Sequence, residues 1–221
     1  MQSISSYILS LLVPLALITP AQIAVAENHT FLAEKYDFSV SYPPELQSVS
    51  TGTPMVALAL RNSASAYPTF NIVVQAGRYD LSPASLHLNE KLLLESYGKI
   101  GLIDVKARKS GILKLPAGPA LQAELDYSLG GDQMSSVVTI LSGSSMHYIL
   151  TWLDSSSKLE MHRATLQQIL DSFQLLGAQA VMPVQAASGQ TGSSIPVLWP
   201  AFVLGLLALS FLVYSRRRRR Q

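Results

Sequence analysis

The sequence contains no cysteine. An exported form would therefore have no disulfide and no lipobox cysteine to acylate, so any tether must be built another way. Metal-ligand spacings are missing too. His29, His87, His147 and His162 are scattered with no HxxxH or HExxH pattern, and no cysteine is present to complete a zinc site with them. No G-x-S-x-G elbow, P-loop or dinucleotide fingerprint occurs, which leaves the familiar nucleophile and phosphate-binding motifs unrepresented. There is also no internal repeat.

The two ends are hydrophobic. Residues Ile8 to Ile18 form an eleven-residue apolar run broken only by Ser10 and Pro14, followed by Ala24-Val25-Ala26 before Glu27. This run is too short for a hydrocarbon core of about 30 Å, which takes roughly 20 residues. It reads as a secretory signal over 1–26, cleaved after Ala26, although Met1 to Tyr7 holds no Lys or Arg. Residues Pro196 to Tyr214 form a nineteen-residue stretch without a charged or amide side chain, edged by Trp199 and Tyr214 and followed by Arg216 to Arg220. Length, aromatic edges and basic cluster predict a spanning helix over 196–214 with a cytoplasmic arginine tail over 215–221.

Charge divides along the same lines. Residues 27–195 hold 11 Lys+Arg against 14 Asp+Glu, and the tail adds 5 Arg. A mildly acidic exported region does not suit nucleic acid, whose phosphates need a basic patch. The arginines, directly after a spanning segment, read as a topology signal. The expected placement is a bacterial inner membrane, crossed once, with the N-terminal domain periplasmic. Asn28-His29-Thr30 matches a glycosylation sequon that matters only in a eukaryotic secretory pathway.

Residues 27–176 suffice for one domain that buries roughly 70% of its unfolded surface. Residues 177–195 then become rich in Ala, Gln, Ser and Gly without one charge, the composition of a linker with an r.m.s. span of roughly 25 Å. Within the domain, Asp37 to Tyr42 alternates with Phe38, Val40 and Tyr42 on one side, and Pro43-Pro44 ends it. Pro54 to Leu60 and Thr69 to Ala76 read as the next strands. Ser82-Pro83 opens a helix carrying Leu86, Leu93, Tyr97 and Ile100 on one face. Ile103 to Arg108 reads as a strand, and Ala120 to Leu129, Ser135 to Leu141 and His147 to Leu153 follow as an antiparallel meander separated by Gly130-Gly131-Asp132 and Ser142-Gly143-Ser144 at hairpin lengths. Leu121, Ala123, Leu125 and Tyr127 point inward on the first strand of that meander. Ser157 and Glu160 have capping-box spacing ahead of Leu159, His162, Leu166, Ile169 and Phe173, and Gly177 stands where a C′ glycine would end that helix. Three strands, a helix, four strands and a closing helix predict an α+β sandwich: an antiparallel sheet of about seven strands packed with two main helices.

That order, the opening Tyr36-Asp37-Phe38-Ser39-Val40-Ser41-Tyr42-Pro43 and the closing Ile169-Leu170-Asp171-Ser172-Phe173 resemble the PsbP/DcrB-like family, which shares its fold with the yeast Mog-type Ran-binding import factor. The late strand His147-Tyr148-Ile149-Leu150-Thr151-Trp152 fits the same pattern. The resemblance spans Phe31 to about Leu176. It implies the Mog/PsbP fold and an assembly or binding role without an established common catalytic function. It assigns no catalytic, cofactor or metal residue here. The lipoprotein members carry an acylated cysteine, for which this chain would substitute a C-terminal helix.

Few residues compete for chemistry. His162 falls on the apolar face of the last helix, where a histidine is ordinarily a core-edge residue satisfied by a backbone carbonyl. His147 is expected to be solvated at a strand start. Ser142-Gly143-Ser144-Ser145 reads as a serine-rich turn; a triad could be assembled from the serines, His147 and Asp154, since triads are defined by geometry, but with so many surface serines that coincidence has almost no specificity. Glu124 and Asp126 share a strand face with Gln122, as a carboxylate pair or simply as a solvated outer face. Lys106, Arg108 and Lys109, with Lys114 nearby, are the basic cluster of the exported region. They read either as a contact for lipid headgroups or an acidic partner, or as protection of an exposed strand.

The function this predicts is a membrane-tethered, non-enzymatic binding or assembly module with a protein partner in or outside the membrane, and with neither cofactor nor nucleic acid. The alternatives are a hydrolase or metal-dependent enzyme using an open sheet face, or a surface protein whose tail (Gly189 to Ser194, the apolar span and the arginines) is removed by a rhombosortase-type protease.

Overall fold

The computed structural model describes residues 27–177. The signal over 1–26, nearly all of the linker, the spanning segment 196–214 and the tail 215–221 lie outside the described residues. Among the described residues no helix is long and apolar enough to cross a membrane.

Seven strands form one antiparallel sheet in the order β3-β4-β5-β9-β8-β7-β6. They are β3 (Leu46–Ser48), β4 (Val56–Asn62), β5 (Thr69–Ala76), β6 (Ile103–Leu115), β7 (Gly118–Leu129), β8 (Asp132–Ser142) and β9 (Met146–Ser155). Helix α1 (Leu86–Lys99) carries the chain from β5 to the far edge, and the meander β6 to β9 then returns to pair with β5. A smaller sheet of β1 (His29–Ala33), β2 (Phe38–Tyr42) and β10 (Gln174–Leu175), in the order β1-β2-β10, accompanies α2 (Leu159–Ser172).

Alternation along the strands gives the large sheet two apolar faces. Leu121, Ala123, Leu125 and Tyr127 of β7 point inward as expected, toward Leu93 and Tyr97 of α1. The other face presents Phe70, Ile72, Leu150 and Trp152 to Leu166, Ile169 and Leu170 of α2 and to Phe38 and Val40 of β2. Phe173, just past α2, stacks on Phe38 at 5.2 Å and meets Tyr148 edge-on at 5.5 Å. Sheet and helices thus form three layers with a core on each side of the sheet.

The α+β class and two main helices agree with the sequence, as does the count of seven strands in the large sheet, but its membership differs. The strand ending in Tyr42-Pro43 belongs to the small sheet, and β3 takes its place at the edge of the large one. β3 and β10 are too short to show a period. β6 runs to Leu115, seven residues beyond Arg108, because Pro116-Ala117 closes a hairpin onto β7. At the β7–β8 turn, Gly130 and Gly131 have φ of 61° and 89°, the left-handed pair that a two-residue hairpin requires.

The helix ends also differ from expectation. α1 starts at Leu86, and the Ser85 hydroxyl donates to the carbonyls of Asp80 and Ser82 instead of capping the helix. α2 follows Lys158 with no side-chain cap, since Glu160 turns to Arg163 and leaves the capping box unmade. Gly177 lies beyond β10 and beside the Asp37 carboxylate, not at the end of α2 where a terminating glycine would stand.

Candidate functional site

The richest cluster of titratable side chains lies between the first half of α2 and the β7–β9 side of the sheet. Glu124 projects from β7 beneath α2 and is 5% exposed. Arg163 of α2 donates to both of its oxygens, at 2.9 and 3.1 Å, and reaches back along the helix to Glu160 at 2.7 and 2.9 Å. The hydrogen bond from Arg163 holds the Glu160 carboxyl below its ordinary range, and the two carboxylates raise the already high pKa of Arg163.

Two residues along β7, Asp126 accepts a forked pair of hydrogen bonds from Arg108 of β6, both at 3.0 Å, and a third from the Ser135 hydroxyl at 2.5 Å. Ser135 also contacts the Ser156 hydroxyl at 2.9 Å. On β9, Asp154 is fully buried. One of its oxygens takes the Ser155 N–H at 2.8 Å, and the other receives Nδ1 of His162 from α2 at 2.5 Å. The His162 ring lies 6.3 Å from that of Trp152.

Each carboxylate thus has its own donor, so the pair on β7 is divided between two arginines. Glu124 is no member of a solvated outer face, because α2 covers that face of the sheet. His162 does sit at the core edge, but a carboxylate satisfies it instead of a backbone carbonyl.

His147 is buried, not solvated, at 5% exposure. Its Nδ1 lies 3.1 Å from the Gly77 carbonyl and its Nε2 3.1 Å from the Gln75 side-chain amide, with Tyr79 packed on the ring at 5.6 Å. Burial lowers its pKa below 6.5, which favours a neutral ring donating from Nδ1 to Gly77. Burial likewise raises the Tyr79 hydroxyl well above the ordinary tyrosine value.

His147 and Asp154 belong to opposite ends of β9 and engage different partners, so the triad entertained from sequence is not assembled. Ser135 stands opposite Asp154 in the sheet, but its hydroxyl binds Asp126 and Ser156 and not His162. No group of three or more metal-ligating side chains converges among the described residues. Sequence reasoning overlooked Arg163 and Ser135, the residues that organise the cluster. Glu160-x-x-Arg163 spacing was a usable local signal for the helical pair. Ser135 had none, since its neighbours come from β7 and from beyond β9.

The layers define an α+β sandwich with a seven-stranded antiparallel sheet between its helices. No family model matches the sequence, and no curated protein matches it. Among solved structures, cyanobacterial PsbP (CyanoP) from Synechocystis sp. PCC 6803 superposes with a TM-score of 0.56 at 9% identity, over 72% of this chain and 98% of that one. The Ran-binding protein Mog1p of Saccharomyces cerevisiae gives 0.49 at 8% identity, over 68% and 96%. LpqN, involved in cell envelope biogenesis of Mycobacterium tuberculosis, gives 0.44 at 12% identity, over 66% and 84%. At such identities the likeness to CyanoP is one of fold.

Proposed function

We propose that the chain is exported, held in a membrane by residues 196–214, and uses the sandwich on the extracytoplasmic side to bind a protein partner without catalysing a reaction. The supporting observation is the saturation of the α2 cluster. Arg163, Arg108, His162 and Ser135 each hold a carboxylate, so the groups best suited to acid–base or nucleophilic chemistry are committed to joining helix and sheet. An enzyme on an open sheet face is disfavoured because α1 covers one face and α2 with β2 covers the other.

The test is affinity purification of the tagged full chain from detergent-solubilised membranes. One stoichiometric protein partner is expected, and repeated recovery of the chain alone would count against the module. Reporter fusions address the tether separately. A reporter after Arg220 should be active only in the cytoplasm and one near Ser188 only outside, because Arg216 to Arg220 lie on the cytoplasmic side of a spanning segment. Reversed activity would remove the localisation.

A further inference from the structure

We propose that the outer edge of β6, over Ser110–Leu115, is a docking edge to which an extended acidic segment of the partner protein adds as an eighth strand. This deepens the binding-module reading and rests on it. β6 is thirteen residues long and ends the large sheet, with β7 as its sole strand neighbour among the described residues. A strand of that length at an edge presents a row of backbone donors and acceptors, which is the template for strand addition.

The two halves of β6 differ. From Ile103 to Lys109 the register against β7 shifts twice, and Asp104 has a φ of 55°; such kinks blunt an edge against pairing. From Ser110 to Leu115 the register is unbroken against Ala123 through Gly118. Gly111 lies within this regular half, and a Cβ there would meet nothing within 4 Å. A strand glycine with open space around it allows another backbone to approach closely. Beside it Ile112 is 41% exposed, an apolar side chain ready to be covered.

Charge selects the occupant. Lys109 and Lys114 bracket the regular segment and have no ion-pair partner among the described residues, whereas Arg108 is held by Asp126. Glu90 of α1 sits nearby but is engaged by the Ser110 hydroxyl. An acidic strand meets both lysines.

Register fixes the spacing as well. Lys109 is opposite Glu124 and Lys114 opposite Pro119, on alternate faces of the sheet because their β7 partners are five residues apart. The docked segment therefore carries two acidic residues five positions apart, with apolar or β-branched residues between them.

The probe is a fluorescent eight-residue peptide of threonine and valine with glutamate at its second and seventh positions, titrated against the full chain in detergent micelles. Binding is expected, with slowed amide exchange confined to Ser110–Leu115 on the protein. The double variant Lys109→Glu, Lys114→Glu should weaken binding at least about tenfold while leaving the tryptophan emission of the chain unchanged, because like charges oppose at both positions. A peptide with both glutamates changed to glutamine should bind equally poorly. Peptide binding with protection elsewhere, or none at all, overturns the proposal. Binding of phosphatidylglycerol vesicles that is lost in the double variant, without peptide binding, reassigns the lysines to lipid and also overturns it. If native and double-variant chains recover the same membrane partner equally, the edge proposal falls and the module stands. If neither recovers a partner, the module reading falls.

Discussion

Replacing Arg163 by methionine keeps the aliphatic stem along α2 and removes the charge that covers Glu124. Glu124 would then be a carboxylate beneath a helix with its main donor gone. Removing one partner of a fully buried pair costs about 3–5 kcal/mol, but Arg163 is 38% exposed on its side chain, so water reaches the site and about 2–3 kcal/mol is expected. Glu124→Gln leaves Arg163 with Glu160 and solvent, and should cost about 1 kcal/mol. The two changes remove one interaction, so the double variant should cost about 2 kcal/mol, less than their sum, with a coupling of about 1–2 kcal/mol. The assay is urea unfolding of residues 27–177 followed by fluorescence of Trp152, the sole tryptophan in that span and fully buried. A loss below about 0.5 kcal/mol for Arg163→Met, with no coupling to Glu124, would show that α2 is not fastened to the sheet through this pair.

Phe173→Ala removes a ring packed between Phe38 and Tyr148 and should destabilise the domain by about 3–5 kcal/mol in the same assay, whereas a loss under about 1 kcal/mol would place α2 outside the core. His147 has its folded pKa lowered by burial, so the unfolded chain binds more protons below about pH 6.5; stability present above that value should fall with pH, and His147→Gln should flatten the slope of the urea midpoint between about pH 5 and 6.5. Unchanged slope in the variant would detach the effect from His147. Native protein extracted from membranes should have the intact mass of residues 27–221; a mass ending near Gly192 or Ser193 would mean that the tail is a discarded sorting signal.

Features that depend on periodicity and composition were legible along the chain. Alternation at Phe38, Val40 and Tyr42, and at Leu121 through Tyr127, marked buried strand faces because side chains alternate across a strand whatever lies opposite. Seven- and four-residue spacings through Leu86, Leu93 and Tyr97 marked α1 for the corresponding reason, and Leu166, Ile169 and Phe173 did so for α2. The α+β class was readable from the order of such segments. Partnership was not. Which sheet the strand of Phe38 joins, whether one face of the large sheet stays open, and whether Glu124 is solvated depend on where α2 lands, a choice made by contacts between residues far apart in sequence. Arg163 and Glu124 are separated by 39 positions, and Ser172 and Ser41 by 131. Burial of His147 likewise follows from its long-range contacts with Gly77 and Gln75, and the unpaired edge of β6 from the sheet order. Tertiary structure alone decided these points, because a charged or polar side chain has the same local signature whether it faces water or a buried partner.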